Sequence, residues 1–195
     1  RKHLMKIIME DVNRLDRLIT DISELSRVDA ELSKANFLKV DLSQTLKSFE
    51  QLYNQTVADK GSKILITLHK PNSFFVMGIE DRLVQVLRNL VENAQSFSPT
   101  HDIIRIDAHK IDNKVQIIVE DNGPGVAPES LDRIFQRFYQ DRQRKEEFGN
   151  HSGLGLNICE QIVELHNGKI WAENITNKNN QILGARFIIE FPSLK

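Results

Sequence analysis

The chain has 195 residues, of which 40% are hydrophobic and 27% are charged, a composition typical of a globular protein. Its 26 basic and 27 acidic residues nearly cancel, which argues against a protein that binds nucleic acid through bulk positive charge. Cys159 is the only cysteine, so the sequence excludes a disulfide framework and a cysteine-based zinc site and suits a reducing compartment. The longest apolar run, residues 74–79, is too short to cross a bilayer.

Residues 1–35 have the pattern of one long helix. Apolar residues recur along it in alternating steps of four and three, at Ile8, Val12, Leu15, Ile19 and Ile22. Such a stripe on a single helix must pack against other helices, so we expect part of a helical bundle. Because residue 1 is Arg and the helical pattern has already begun there, we expect the chain to be a fragment of a longer protein.

From residue 37 onward, strand patterns alternate with helix patterns. Strands are predicted at 37–40, 64–69, 74–77, 103–109, 115–120, 169–174 and 185–191, and helices at 42–60, 79–97 and 154–166, with a further helical segment at 130–138. The pair Asp112 and Asn113 indicates a hairpin turn. This order predicts an α+β two-layer sandwich, a mixed sheet with helices on one face, preceded by one long helix.

The first candidate site is the pair Asn89 and Asn93, which share one face of the predicted helix 79–97. Asn is a mediocre helix former, so two of them beside a buried stripe need an explanation. An amide oxygen next to substrate phosphates suits Mg²⁺, which takes oxygen ligands and keeps several waters. The alternative is that both amides bond to neighbouring backbone or face water.

The second candidate is Asp121 with Gly123 and Gly125, directly after the predicted strand 115–120. An acidic side chain followed by glycines, which allow close backbone approach, suits a planar hydrogen-bonding ligand. An ordinary turn is the alternative, because Asp, Asn, Gly and Pro are the usual turn residues.

The third candidate is the glycine-rich segment 153–156, which leads into the predicted helix 154–166. The free N–H groups at the start of a helix suit a phosphate. Neither a Walker P-loop nor a Rossmann fingerprint is present, since no Gly-Lys-Ser/Thr follows and a long loop precedes the glycines. The alternative is a flexible glycine hinge.

Together, the order and spacing of these segments resemble the two-component sensor histidine kinases, within the superfamily of ATPases that includes gyrase, the heat-shock chaperone and MutL. Residues 89–93 are similar to the N box, 121–125 to the G1 box, 133–139 to the F box and 153–156 to the G2 box. The F box separates the kinases from the other ATPases. Residues 1–35 resemble the second helix of the dimerisation and phosphoacceptor hairpin, and the chain is similar to the ChvG-type envelope-stress kinases.

This resemblance implies a partial dimerisation and phosphoacceptor helix at 1–36 and a Bergerat-type ATP-binding domain at 37–195, with a lid at 123–152. ATP and Mg²⁺ are the implied ligands. Asp121 would accept a hydrogen bond from the adenine amino group, and Asn93, assisted by Asn89, would coordinate Mg²⁺. The other nucleotide-binding residues implied are Phe97, Gly123, Gly125, Arg137, Gly153, Leu154, Gly155 and Leu156.

Three positions depart from the family pattern: Ser96 stands where Lys is frequent, Gln140 where Arg is frequent, and His151 where the first glycine of the G2 box is usual. All three concern the grip on the terminal phosphate. None of the 6 His residues has the acidic neighbour and following Pro of a phosphoacceptor. The target His is therefore expected on an absent upstream helix, and the fragment alone is not expected to phosphorylate itself.

The resemblance further implies that the γ-phosphoryl group passes to that His and then to an Asp of a response-regulator receiver domain. It implies a homodimer through the N-terminal helix, no nucleic-acid partner, and the cytoplasmic portion of a protein of the bacterial inner membrane. Two alternatives stay open. A gyrase-like or MutL-like enzyme that hydrolyses ATP would need a catalytic Glu just before Asn93, where Glu92 falls on another helix face. The other alternative is a non-catalytic nucleotide-binding docking module.

Overall fold

The computed structural model describes residues 36–57, 62–70, 74–99, 101–139 and 153–194, together with ten residues between positions 5 and 23. All ten are helical, as their periodicity predicts, and the remainder of the predicted helix 1–35 lies outside the described residues. Their apolar side chains are 48–68% exposed: Met5, Ile8, Met9, Val12, Leu15, Ile19 and Ile22. None of the described helices combines the length and the apolar composition that a membrane span requires.

The remaining described residues form three helices and seven strands. The helices are α1 (Leu42–Val57), α2 (Glu80–Phe97) and α3 (Gly155–Leu165). The strands are β1 (Leu38–Asp41), β2 (Lys63–His69), β3 (Phe75–Gly78), β4 (Ile103–Ile111), β5 (Lys114–Glu120), β6 (Lys169–Thr176) and β7 (Ile182–Pro192).

Five of the strands form one mixed sheet in the order β2-β4-β5-β7-β6, and β1 pairs with β3 in a separate antiparallel ribbon. Strands β2 and β4 are parallel, whereas the other neighbours in the large sheet are antiparallel. The predicted hairpin joins β4 to β5, and Asp112 adopts a φ of 52°, a left-handed conformation that Asp tolerates in turns.

One face of the large sheet carries the core. Alternate residues such as Ile106, Ile117 and Ile189 pack into a single cluster with the apolar stripe of α2 and the buried side of α3. The residues between them on the strands, such as Asp107 and Gln116, lie outside that cluster. The predicted α+β arrangement, with helices on one face of a mixed sheet, is therefore confirmed.

His166 connects the helices that carry the candidate residues. The residue is 3% exposed, its Nε2 accepts a hydrogen bond from the N–H of Ile79 at 3.0 Å, and its Nδ1 lies 2.7 Å from the carbonyl oxygen of Ile162. A Cβ on Gly78 would lie 2.7 Å from the ring, so glycine is required there. The start of α2 is thereby held against the end of α3. Burial lowers the pKa of His166, which keeps the ring neutral and able to accept the bond.

The predicted helical segment at 130–138 is wrong in its extent. Only residues Pro128–Ser130 form a short 3₁₀ turn, and turns follow in which the N–H groups of Arg133 and Ile134 share the carbonyl of Ser130. Phe138 has a φ of 61°, which a helix cannot accommodate, and its N–H bonds to the carbonyl of Gly153. Tertiary pairing with the start of α3 thus replaces the helix expected from local pattern.

Candidate functional site

The second half of α2 lies between two of the glycine segments. The side-chain Nδ2 of Asn89 donates to the carbonyl of Gly155 at 3.2 Å. Two turns further along α2, a Cβ on Gly123 would lie 2.8 Å from the carbonyl oxygen of Phe97. Asn93 falls between these two contacts on the same helical stripe. The three segments singled out in the sequence therefore converge along one side of α2.

Asp121 is fixed at the end of β5 by the neighbouring strand. Asp121 as a whole is 4% exposed, and its Oδ1 accepts hydrogen bonds from the N–H of Gly123 at 2.8 Å and from that of Ala185 at 3.1 Å. Its own N–H donates to the carbonyl of Ala185 at 2.9 Å. Among the described residues, none donates a hydrogen bond to Oδ2. Oδ1 is therefore engaged by hydrogen bonds within the fold, whereas Oδ2 could accept a hydrogen bond from a ligand.

Burial raises the pKa of Asp121, and the two backbone hydrogen bonds from Ala185 and Gly123 partly oppose that rise. Nearby Asp102 and Glu120 raise the pKa further by charge repulsion. A ligand that donates a hydrogen bond to the ionised form would relieve part of this cost. The electrostatics thus favour a donor group rather than an anion at Asp121.

Two glycines let the loop after Asp121 lie directly on the sheet. A Cβ on Gly184 would lie 2.0 Å from the carbonyl oxygen of Asp121. Gly125 has a φ of 73°, and a Cβ there would lie 2.3 Å from Cγ2 of Ile182. We call residues 121–126 the base loop, because the family resemblance places the adenine base there. Neither Gly125 in this loop nor Gly184 beneath it on β7 has space for a side chain.

The start of α3 differs from the base loop, because it has open space at Gly155. A Cβ on Gly155 would meet no described atom within 4 Å, and the first N–H groups of a helix have no partner within it. Gly153 has a φ of 73°, and its carbonyl accepts the N–H of Phe138 at 3.0 Å. The side chain of Leu154 is fully buried and that of Leu156 packs against the core, so at both positions the backbone is what a ligand would meet.

Other predicted residues are less closely involved. Asn93 and Phe97 are partly buried, and among the described residues the Asn93 side chain forms no hydrogen bond. Arg137 is exposed, and no described contact joins it to the other candidates. Ser96 donates its hydroxyl to the carbonyl of Glu92, whereas Gln140 and His151 lie outside the described residues.

Two asparagines that the sequence analysis did not select also contact these segments. Asn174 on β6 forms two hydrogen bonds with the backbone of Val126, and Asn157 on α3 donates to the carbonyl of Phe135 at 2.9 Å. Asn is unfavourable inside strands and helices, which was the available signal. Their partners are 48 and 22 positions away in the chain, so the sequence pattern did not reveal them.

The family described as Histidine kinase-, DNA gyrase B-, and HSP90-like ATPase matches residues 78–195. The chain belongs to this ATPase family. It is 45% identical over 201 residues to the sensor protein ChvG of Rhizobium meliloti strain 1021, which covers 99% of the chain and 34% of ChvG.

Solved histidine kinase structures agree with this assignment. Full-length ShkA in complex with AMPPNP has a TM-score of 0.76 and 26% identity, covering 100% of this chain and 39% of ShkA. Histidine kinase ThkA in complex with the response regulator protein TrrA has a TM-score of 0.70 and 26% identity, covering 99% of this chain and 51% of ThkA. The resemblance to ChvG-type sensor histidine kinases is confirmed, and the chain carries their catalytic ATPase domain. It spans about a third of the length of the curated relatives that it matches.

Proposed function

We propose that the site along α2 binds Mg-ATP and that, in the intact protein, the γ-phosphoryl group passes to a His on an upstream helix. The supporting observation is the position of α2, whose residues contact Gly155 at one point and Gly123 two turns later. An adenine nucleotide is long enough to place its base at the base loop and its phosphates at the start of α3. The complex of ShkA with AMPPNP supports the same ligand class.

At the base end, Oδ2 of Asp121 would accept a hydrogen bond from the adenine amino group, because Oδ1 already accepts hydrogen bonds from two backbone N–H groups. Gly125 would let the ring lie against the backbone, and Phe97 would contact the nucleotide from the end of α2. At the phosphate end, Gly153 and Gly155 would present backbone N–H donors. Exposed Arg137 is a candidate partner for the phosphates from the lid.

The residues present fit a magnesium ion that arrives with its nucleotide. In the described part of the chain, no cluster of three or more His, Cys, Asp or Glu side chains could hold a metal. Mg²⁺ keeps several waters and needs few protein ligands when phosphate oxygens are at hand. The Oδ1 of Asn93, and that of Asn89, whose Nδ2 is engaged with Gly155, are the proposed ligands. When bound, the ion would neutralise phosphate charge.

Phosphoryl transfer requires positioning and charge stabilisation more than a nucleophile within the binding domain. This agrees with a site made of amides, one carboxylate and backbone N–H groups. Glu92, which a hydrolytic relative would need as a base, is exposed. Burial raises the pKa of Tyr53 on α1, and the charge of Glu92 raises it further. Because successive residues of a helix point about 100° apart, Glu92 and Asn93 lie on different faces of α2, which favours kinase chemistry over hydrolysis.

The exposed apolar stripe of the N-terminal helical residues supports pairing with further helices in a homodimeric bundle. The complex of ThkA with TrrA supports a response-regulator receiver domain as the partner that takes the phosphoryl group. We place this chain in the cytoplasmic portion of a protein of the bacterial inner membrane, on the strength of its ChvG relatives.

The deciding experiment mixes the chain with γ-labelled ATP, Mg²⁺ and a separately supplied phosphoacceptor hairpin that contains the target His. Alkali-stable, acid-labile label on the hairpin is expected. Release of free phosphate without labelled hairpin would favour the hydrolase, and nucleotide binding without either product would favour the docking module. Asn93→Ala should remove the Mg²⁺ dependence of ATP binding in calorimetry, whereas Asn113→Ala, at the exposed β4–β5 turn, should keep it.

A further inference from the structure

Asn174 on β6 binds the last residue of the base loop as a second strand would. Its Oδ1 accepts the N–H of Val126 at 2.8 Å, and its Nδ2 donates to the carbonyl of the same residue at 2.7 Å. These two bonds engage the two peptide units that flank Val126, one each, so the side-chain amide fixes the direction of the backbone as well as its position.

The same amide also limits Gly125. A Cβ on Gly125 would lie 2.7 Å from Oδ1 of Asn174, so the amide is packed against the residue whose φ of 73° turns the loop. Any shift of Gly125 toward β6 would bring it into contact with Asn174. The conformation of the loop is therefore limited by both hydrogen bonding and contact.

The two ends of the base loop are held by one pair of neighbouring residues. Asn174 is the direct partner of Ala185 in the antiparallel β6–β7 ladder. Ala185 holds the first end of the loop, because it accepts the N–H of Asp121 and donates its own N–H to Oδ1 of that residue. Asn174 holds the last end through Val126. Loop closure across adjacent strands leaves little freedom to the residues between.

We propose that Asn174 is a positioning residue for recognition of the nucleotide base: it holds the base loop in the shape in which Oδ2 of Asp121 and the backbone of Gly125 meet the base. This inference rests on the proposed function. Asn174 itself does not touch the base, and its effect is confined to the base end of the site, because the start of α3 is held by other contacts.

A purely structural anchor and a positioning residue differ in which ligand groups they affect. Loss of a structural anchor would weaken the binding of every ligand alike, in proportion to the loss of folded protein. Loss of a positioning residue at the base loop would weaken binding of the ligand whose amino group reaches Asp121 more than binding of a ligand that lacks this group and contacts only the backbone of Gly125. ATP and purine riboside triphosphate, which lacks the 6-amino group, form the required pair.

The test measures the affinities of both nucleotides by competition against a fluorescent ATP analogue, with Mg²⁺, for the wild type, Asn174→Ala and Asn174→Asp. Asn174→Asp keeps the shape of the side chain but places an oxygen against the carbonyl of Val126. Asn179→Ala, on the exposed turn after β6, is the matched control. Thermal unfolding of each variant gives the folded fraction.

We expect the wild type to prefer ATP by about tenfold or more, as a hydrogen bond to a charged acceptor implies. Both Asn174 variants should lose most of that preference through weaker ATP binding, and Asn179→Ala should retain it. If the Asn174 variants bind both nucleotides equally less tightly, or keep the wild-type preference for ATP, the inference is overturned, but the proposal that the chain binds ATP still stands. A wild type that binds neither nucleotide would instead overturn the proposed function.

Discussion

The two ends of the proposed nucleotide site are built differently. The base loop lies on the sheet, where Asp121 and Val126 are each held by two or more hydrogen bonds to adjacent strands and two glycines leave no room for a side chain. At the start of α3, no described atom lies within 4 Å of a Cβ built on Gly155, and the carbonyls of Gly155 and Gly153 accept hydrogen bonds from Asn89 and Phe138.

This difference matches the two tasks that the site would perform. Recognition of a base through one carboxylate oxygen requires a rigid acceptor, because a hydrogen bond weakens steeply with misalignment. Phosphoryl transfer requires groups that can approach the phosphates and then release the product. The sheet supplies the first property, and a helix terminus with an open approach supplies the second.

The largest effect is expected for Asp121→Asn. An asparagine can still accept the N–H groups of Gly123 and Ala185 through Oδ1, but it presents an N–H group where Oδ2 stood, so the base end would keep its fold and lose its acceptor. ATP affinity should fall by about 1.5–3 kcal/mol, measured by calorimetry, with no loss of thermal stability. Asp112→Asn is the control, because Asp112 lies in the exposed β4–β5 turn, at the opposite end of β5 from Asp121. Unchanged ATP affinity in Asp121→Asn would contradict the assignment.

Lower pH should reproduce that effect in the wild type. Because burial raises the pKa of Asp121, its carboxylate takes up a proton at a higher pH than an ordinary aspartate, and ATP affinity should decline as the pH falls through that raised pKa. The folded state gains no stability from ionising this group, so the unliganded protein should not lose stability for this reason over the same range. Calorimetric titrations at several pH values should show the decline in the wild type and its absence in Asp121→Asn.

Alanine at the two glycines tests the contrast directly. Gly125→Ala forces a side chain into a left-handed conformation and against Ile182, which should cost about 1–2 kcal/mol from backbone strain alone and distort the base loop. Gly155→Ala meets no described atom and replaces a glycine in a helix, so stability should stay equal or rise by up to about 1 kcal/mol. Urea unfolding without nucleotide measures both.

ATP binding separates the same two variants further. If the space at Gly155 receives the phosphates, Gly155→Ala should weaken ATP binding despite its intact fold. A Gly155→Ala protein that binds ATP as tightly as the wild type would move the phosphates elsewhere.

Asn157→Ala should have a moderate effect at the phosphate end. It removes the hydrogen bond to the carbonyl of Phe135, worth about 1 kcal/mol. Removal of its buried Oδ1, which has no hydrogen-bond partner among the described residues, offsets part of that loss. We expect a small fall in stability and faster proteolysis between Phe135 and Tyr139. Gln161→Ala is the matched control, because it also removes a buried amide oxygen without a partner in the described part of the chain, but no bond to Phe135. Equal proteolysis in the two variants would contradict the role of Asn157.

The smallest effect concerns the far end of α3. Burial lowers the pKa of His166 below its ordinary value of 6.5, so the unfolded chain takes up a proton before the folded chain does as the pH falls. The stability that neutral His166 contributes should therefore be present above about pH 6.5 and decrease below it. His166→Gln, which does not titrate, should show less of this decrease in urea unfolding from pH 7 to pH 5, and a parallel dependence would contradict the assignment.

Local pattern predicted most of the fold because each element carries its own periodicity. The stripe of α2 and the alternation in β4 and β5 follow from residues three, four or two positions apart, so neighbouring positions decide them. The prediction of a helix at 130–138 failed for the complementary reason. The conformation of this segment depends on hydrogen bonds with Gly153 and Asn157, which are too distant in the chain to affect a local sequence pattern.

For the site, the sequence alone indicated the chemistry: the order of the asparagine pair, the aspartate and the glycines resembles the ATPase family and predicts which groups would meet the nucleotide. Only the tertiary structure decided how these residues are held. The bonds of Asp121 with Ala185, and of Val126 with Asn174, join positions far apart in the chain through strand pairing. Backbone hydrogen bonding is common to all residue types and leaves little trace in a single sequence, so these restraints became visible only in the folded chain.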